Sequence, residues 1–244
     1  MSIRPAAILA AMVLAAGAAF APPARSVPYD AVYAFGDSLT DTGNTLRVTS
    51  AGLIPGMSAQ PLPPYYQGRS SNGPVWIEPF TASLGLGPIG PSLAGGTDFA
   101  YAAGQTGATP LHPAATPLDL TGPTGQLAQF RRAVPTPSPN ALYVLWIGSN
   151  DLYNIFYARG AGASPDPIAQ ANAAASNAAN FVRAIAAGGA RNLLFVTVPN
   201  LGESPEITKI YPAYVQDASD IARYYNETLL RDITQTAAAS AMNL

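Results

Sequence analysis

The chain has no cysteine, one histidine (His112) and one lysine (Lys209) among its 244 residues. Without cysteine there is no disulfide scaffold, no zinc ribbon and no thiol nucleophile. A single imidazole rules out an HExxH motif or any multi-histidine metal centre, so no metal site and no cofactor is expected. Charge is scarce too: 11% of residues are charged, against roughly 25% in an average soluble domain. Lys and Arg number 12, Asp and Glu 14, for a net charge of −2. With no basic cluster, nucleic acid is not an expected partner. Apolar residues are plentiful at 48%, alongside Gly 22 and Pro 24. That content is too high for disorder, and the length suits one domain with a real core.

Residues 1–26 read as an export signal. Arg4 gives a positive start, an apolar run extends from Ala6 to Phe20, and Ala19-Phe20-Ala21 is an A-x-A-like cleavage site. The run is shorter than the roughly 20 residues that span a bilayer. No second candidate follows, so no transmembrane span is expected in the mature chain, residues 27–244. A periplasmic or secreted bacterial protein is the expectation.

Beyond the signal, apolar strands alternate with helices. Ala31–Phe35 reads as a buried strand, Ala141–Ile147 as the strongest strand and Asn192–Val198 as another; Thr97–Tyr101 is a weaker one. A Gly/Pro-rich loop runs from Gly52 to Pro74, and Pro74 opens a helix in which Pro79 is an expected irregularity. Leu127, Phe130 and Val134 share a helical face over Gln126–Val134. Asp166 and Pro167 start a helix that Gly188 ends, with Ile168, Ala175, Val182 and Ile185 on its apolar face. A last helix from about Ala213 carries Val215, Ala218, Ala222, Tyr225, Leu229 and Ile233. Continuous apolar strands between helices predict an α/β fold: a mostly parallel sheet in a three-layer α/β/α arrangement.

In open α/β sheets, sites form beyond the carboxyl ends of the strands. Three strand ends here carry unusual polar residues: Gly36-Asp37-Ser38-Leu39, Gly104-Gln105-Thr106-Gly107 and Gly148-Ser149-Asn150-Asp151. A Ser on a tight strand-to-helix turn, with backbone N–H groups and an Asn side chain nearby, is an acyl-transfer constellation. The plainer reading of Ser38, Asp41, Asn44 and Asn150 is capping and turn formation. Trp76, Trp146 and Phe195 read most simply as core.

The segment Val32–Asn44 (VYAFGDSLTDTGN) resembles the first block of the GDSL esterase/lipase, or SGNH hydrolase, family. Arg69–Trp76, Gly96–Tyr101, Gly148–Asp151, Val198–Gly202 and Tyr225-Asn226 are similar to further segments of its plant-type and autotransporter-type branches. The resemblance implies a flavodoxin-like sheet and an ester substrate: a small molecule, a lipid or an acylated glycan. It also implies Ser38 as nucleophile, Asn150 in the oxyanion hole, and a backbone N–H of the second block as a further donor. Where the family commonly reads Gly-Gly-Ala, this chain reads Ala102-Ala103-Gly104, so the donor is Ala103 or Gly104.

The family's fourth element, a C-terminal Asp-x-x-His that takes the Ser proton, has no match in these residues. Ala241–Leu244 reads as the approach to another strand, and the resemblance implies that the last strand and the His-bearing loop are missing. A weakly active or inactive chain is then expected, with Leu193–Val198 as an unpaired, aggregation-prone edge. The alternatives are a non-catalytic ester- or glycan-binding remnant and a gene fragment. His112, in a Pro-rich loop with Thr109 three residues before it, reads as a loop residue at the cleft rim; the alternative, a substitute base, requires it to reach hydrogen-bonding distance of Ser38.

Overall fold

A computed structural model of the protein describes residues 29–114 and 116–244. The expected export signal, residues 1–26, lies outside the described residues. Three parallel strands form the sheet: β1 (Val32–Gly36), β2 (Leu142–Trp146) and β3 (Asn192–Val196), in the order β1-β2-β3. Val32 sits opposite Leu142, and Leu142 opposite Asn192. Thr97–Tyr101 runs extended along the outer edge of β1: Ala34 N donates to Thr97 O at 3.1 Å and Phe99 N to Ala34 O at 2.8 Å. At the far edge Asn243 pairs with β3 in parallel, through Leu193 N to Asn243 O at 2.9 Å and Asn243 N to Arg191 O at 2.7 Å.

Side chains alternate between the two faces of the strands. Val32, Ala34, Leu142 and Val144 face Val75, Ile77 and Ile89, on the side of helix α2 (Ile77–Ser83). Phe35, Tyr143, Leu145 and Leu193 face the larger cluster. There α3 (Gln126–Ala133) contributes Phe130, α4 (Ser149–Gly160) Ile155 and Phe156, α5 (Pro167–Ala187) a run of alanines, and α7 (Val215–Ala239) Tyr225 and Leu229. Both faces are therefore covered, giving the expected three-layer α/β arrangement. Two short helices, α1 (Asn44–Ser50) and α6 (Pro205–Ile210), complete the α-helices of the described residues.

Asp166 caps α5 as expected, its Oδ1 accepting from Ile168 N at 2.9 Å and Ala169 N at 3.1 Å. Ala175, Val182 and Ile185 are buried, but Ile168 is exposed; it lies in the first turn, on an open hollow shared with Ile155, Ile221 and Tyr224. Val215, the first residue of α7, is exposed too. The helix expected from Pro74 begins at Ile77, so Pro79 falls in its first turn and causes no break. Trp76, Trp146 and Phe195 are half-buried, with Trp76 and Phe195 packed against the core clusters. Trp76 and Trp146 meet edge to face, 5.6 Å between centroids. Among the described residues no helix is long and apolar enough to cross a membrane.

Candidate active site

The first strand end is held by backbone geometry and two buried carboxylates. A Cβ on Gly36 would sit 2.4 Å from the Trp146 carbonyl oxygen, so only glycine fits there. Asp37 folds the next residues into a turn: its Oδ1 accepts from Leu39 N at 3.0 Å, and its carbonyl accepts from Thr40 N and Asp41 N, each at 3.0 Å. Burial pushes the Asp37 carboxyl up to about 7, against the pull of the Leu39 N–H. Ser38 stands half-buried on this turn. Among the described residues neither its hydroxyl nor its backbone N–H has a hydrogen-bond partner.

Asp41 ties this turn to the end of the extended Thr97–Tyr101 segment, which bridges β1 at Asp98 without forming a strand of its own. Its Oδ1 accepts from Gly43 N at 2.8 Å and Asn44 N at 2.7 Å, which starts α1; its Oδ2 accepts from Ala102 N at 3.1 Å. Asn44 reaches across instead of capping, its Nδ2 donating to the carbonyls of Asp98 at 2.8 Å and Ala100 at 3.0 Å. Asp98 accepts from the Thr42 backbone and hydroxyl, both at 2.7 Å. Burial and then the neighbouring Asp41 raise its carboxyl well above the usual range.

The two second-block donors differ in state. Gly104 N donates to Tyr101 O at 3.0 Å, closing a tight turn. Ala103, at the exposed crest of that turn, has φ of 61°, and its N–H has no partner among the described residues. Asn150 arrives from the end of β2, in the first turn of α4, and its Nδ2 donates to Gly104 O at 2.8 Å. Gly148 before it has φ of 119°, and a Cβ there would lie 2.3 Å from the Tyr225 hydroxyl, which donates to Ile147 O at 3.1 Å. Asp151 is buried against Thr106, whose hydroxyl donates to it at 2.7 Å; burial pushes its carboxyl up to about 7. The ends of β1, of the Thr97–Tyr101 segment and of β2 are thus linked through hydrogen bonds, with Ser38, Ala103 and Asn150 each retaining polar hydrogens that have no partner among the described residues.

His112 is elsewhere engaged. Its Nε2 lies 2.8 Å from Asp119 Oδ2, and Asp119 Oδ1 accepts from Gln105 N at 3.0 Å. No hydrogen bond joins His112 to Ser38 among the described residues. Nor do the described residues hold a cluster of His, Cys, Asp and Glu fit for a metal ion. One residue that the sequence does not announce is Gln126, which reads there only as the start of a helix. It is wholly buried and bonds the backbone of Gly36, just ahead of Ser38.

The family model of the GDSL-like lipase/acylhydrolases matches residues 32–243. The chain belongs to this family. As a GDSL protein it is 31% identical over 217 residues to the phosphatidylcholine-sterol acyltransferase of Aeromonas hydrophila, covering 88% of this chain and 58% of that protein. It is 28% identical over 179 residues to lipase 1 of Photorhabdus luminescens, covering 73% of this chain and 24% of the lipase. It is 25% identical over 233 residues to an acetylesterase of Thermothelomyces thermophilus, covering 91% of this chain and 72% of that esterase. The chain therefore spans little more than half of the acyltransferase and a quarter of the lipase.

Proposed function

We propose that this GDSL protein hydrolyses carboxylic esters through an acyl-serine at Ser38. The observation that carries the reading is an Ala103 N–H without a partner among the described residues, flanked by Ala102, which bonds Asp41 of the Ser38 turn, and by Gly104, which bonds Asn150; the Ser38 hydroxyl and N–H likewise have no partner there. Ser38 Oγ bonds to the ester carbonyl carbon and its proton passes to a base. The N–H groups of Ser38 and Ala103 and the Asn150 amide receive the oxyanion. The bond to the alcohol oxygen then breaks, the alcohol leaves with the proton, and water releases the acid from Ser38 by the same steps. Of the two second-block candidates this reading takes Ala103, because the Gly104 N–H already serves the turn.

The substrate class is an ester of a small molecule, a lipid or a glycan. The acyltransferase, lipase and acetylesterase that the chain resembles carry names from this one chemistry. The same proposal includes export, on the pattern of residues 1–26; the mass of the protein recovered from a periplasmic or culture fraction tests it.

Turnover by these residues alone should be weak. They hold one imidazole, and Asp119 occupies its Nε2. Loss of the base from a serine triad costs on the order of 10⁶ in turnover. That engagement of His112 also favours a second reading, a non-catalytic binder of esters or glycans. Hydrolysis of p-nitrophenyl acetate by folded protein, beside Ser38→Ala and with and without added imidazole, separates the two. A Ser38-dependent rate that imidazole raises supports the hydrolase; equal rates for both proteins in every condition support the binder.

A further inference from the structure

The segment between α1 and α2 carries apolar side chains that pack inward and others that are exposed. Inward, Ile54 and Met57 pack with Val48, Tyr101 and Leu118. Thr49 Oγ1 closes this part of the loop, donating to Thr45 O at 2.7 Å within α1 and accepting from Gln60 N at 3.0 Å. Outward, Leu53 is 67% exposed, Leu62 53%, Tyr65 51% and Tyr66 36%. Large apolar side chains gathered on one exposed loop mark an interaction surface.

The charges around the loop say what kind. From Thr42 to Ile77 the sequence has no Asp or Glu, and its cations are Arg47 and Arg69. Both arginines line one open hollow of about 620 Å³, together with Thr42, Gly43 and Gln67. Arg69 is held by Glu78 at 2.7 Å, while the exposed Arg47 has no carboxylate partner among the described residues. An exposed guanidinium without a carboxylate partner among the described residues complements a phosphate, and tyrosine suits the level where headgroups meet acyl chains.

We propose that this loop docks the protein on an anionic phospholipid surface. Leu53 and Leu62 enter below the headgroups, Tyr65 and Tyr66 lie at their level, and Arg47 pairs with a phosphate. Because Ile54 and Met57 rest on Tyr101, which directly precedes Ala102, docking brings the second-block turn to the lipid layer. The inference deepens the ester-hydrolase reading by naming a lipid ester, and rests on that reading for its purpose; its test measures binding alone.

The test is co-sedimentation of the purified full chain with phosphatidylcholine vesicles, with and without phosphatidylglycerol. Strong binding is expected only with phosphatidylglycerol, weakening as salt rises. A Leu53→Ser/Leu62→Ser/Tyr65→Ser variant should lose roughly tenfold in partitioning with an unchanged melting temperature, since those side chains are exposed. Arg47→Gln should reduce the preference for phosphatidylglycerol and its salt dependence. Ser38→Ala should bind like the parent, so failure of the hydrolase reading leaves this result intact. Equal binding by parent and triple variant, or no difference between the two lipids, overturns the proposal. So does a dimer that the triple variant loses in the absence of vesicle binding, which would assign the loop to a second copy of the chain.

Discussion

The side-chain amide of Gln126 bonds both backbone groups of Gly36: its Oε1 accepts from Gly36 N at 3.0 Å and its Nε2 donates to Gly36 O at 2.7 Å. The amide thereby acts as a strand neighbour at the last residue of β1. The same Nε2 donates to Leu118 O at 2.7 Å, which links the strand end to the loop behind the second block. Asp37 and Ser38 follow directly, so the start of the candidate nucleophile turn is fixed by a residue on another element.

Gln126→Ala should therefore destabilise the fold by about 2–4 kcal/mol. The substitution strands the buried Gly36 N–H and deprives two carbonyls of a donor, and an unpaired buried group costs about 1–3 kcal/mol. Urea unfolding, with the slope compared between variants, measures the loss. The Ser38-dependent rate per folded molecule should fall as well, although Gln126 touches no ester.

Ala103 offers the opposite effect. Its φ of 61° lies in the left-handed region, which costs a residue with a Cβ roughly 1–2 kcal/mol. The side chain is exposed and packs nothing that glycine would lose. After the extra backbone entropy of glycine, Ala103→Gly should stabilise by about 0.5–1 kcal/mol. A thermal melt a few degrees higher would show it, with the Ser38-dependent rate unchanged because the N–H remains.

Much of the architecture is legible in the sequence, for identifiable reasons. The runs within Val32–Gly36, Leu142–Trp146 and Asn192–Val196 are near-continuously apolar because helices cover both faces, and no polar alternation blurs them. Asp166-Pro167 announces α5 by local chemistry alone. Helix α4 stays hidden, since Ser149-Asn150-Asp151 reads as a turn and Asn154 interrupts the apolar face. Tertiary contacts bury Asp151, Leu152, Ile155 and Phe156 and so make it a helix. At the site, the polar strand ends are visible in sequence; their bracing is not. Gln126 meets Gly36 across 90 residues, and nothing local to Ala102-Ala103-Gly104 says which N–H the turn consumes.

The buried carboxyls set a pH dependence with a definite sign. Asp37 moves from an ordinary value near 3.8 to about 7 in the fold, because burial disfavours its charge. Between those values the folded chain holds a proton that the unfolded chain has released. Its contribution to stability is thus greatest at acid pH and declines as pH rises toward 7. Asp37→Asn removes the titration while its carbonyl can still accept from Leu39 N. The melting temperature of this variant should gain on the parent's as pH goes from 5 to 8. A gap that stays constant, or narrows with rising pH, would contradict the assignment.

Asn150 separates positioning from chemistry. Its bond to Gly104 O is half-buried, so Asn150→Ala should cost only about 1 kcal/mol of stability. The rate should suffer far more. Removing one side-chain donor from an oxyanion site lowers kcat by about 10²–10³, because that bond strengthens as charge develops on the carbonyl oxygen. KM should hardly change, since the ground-state ester carries no such charge. Asn150→Asp is the sharper variant: it preserves the size of the side chain but sets a carboxylate where negative charge must form, and its rate should fall below that of Asn150→Ala. The comparison is made on the imidazole-raised, Ser38-dependent rate. A parent-like kcat in Asn150→Ala would remove this amide from the oxyanion hole and leave it as a brace for Gly104.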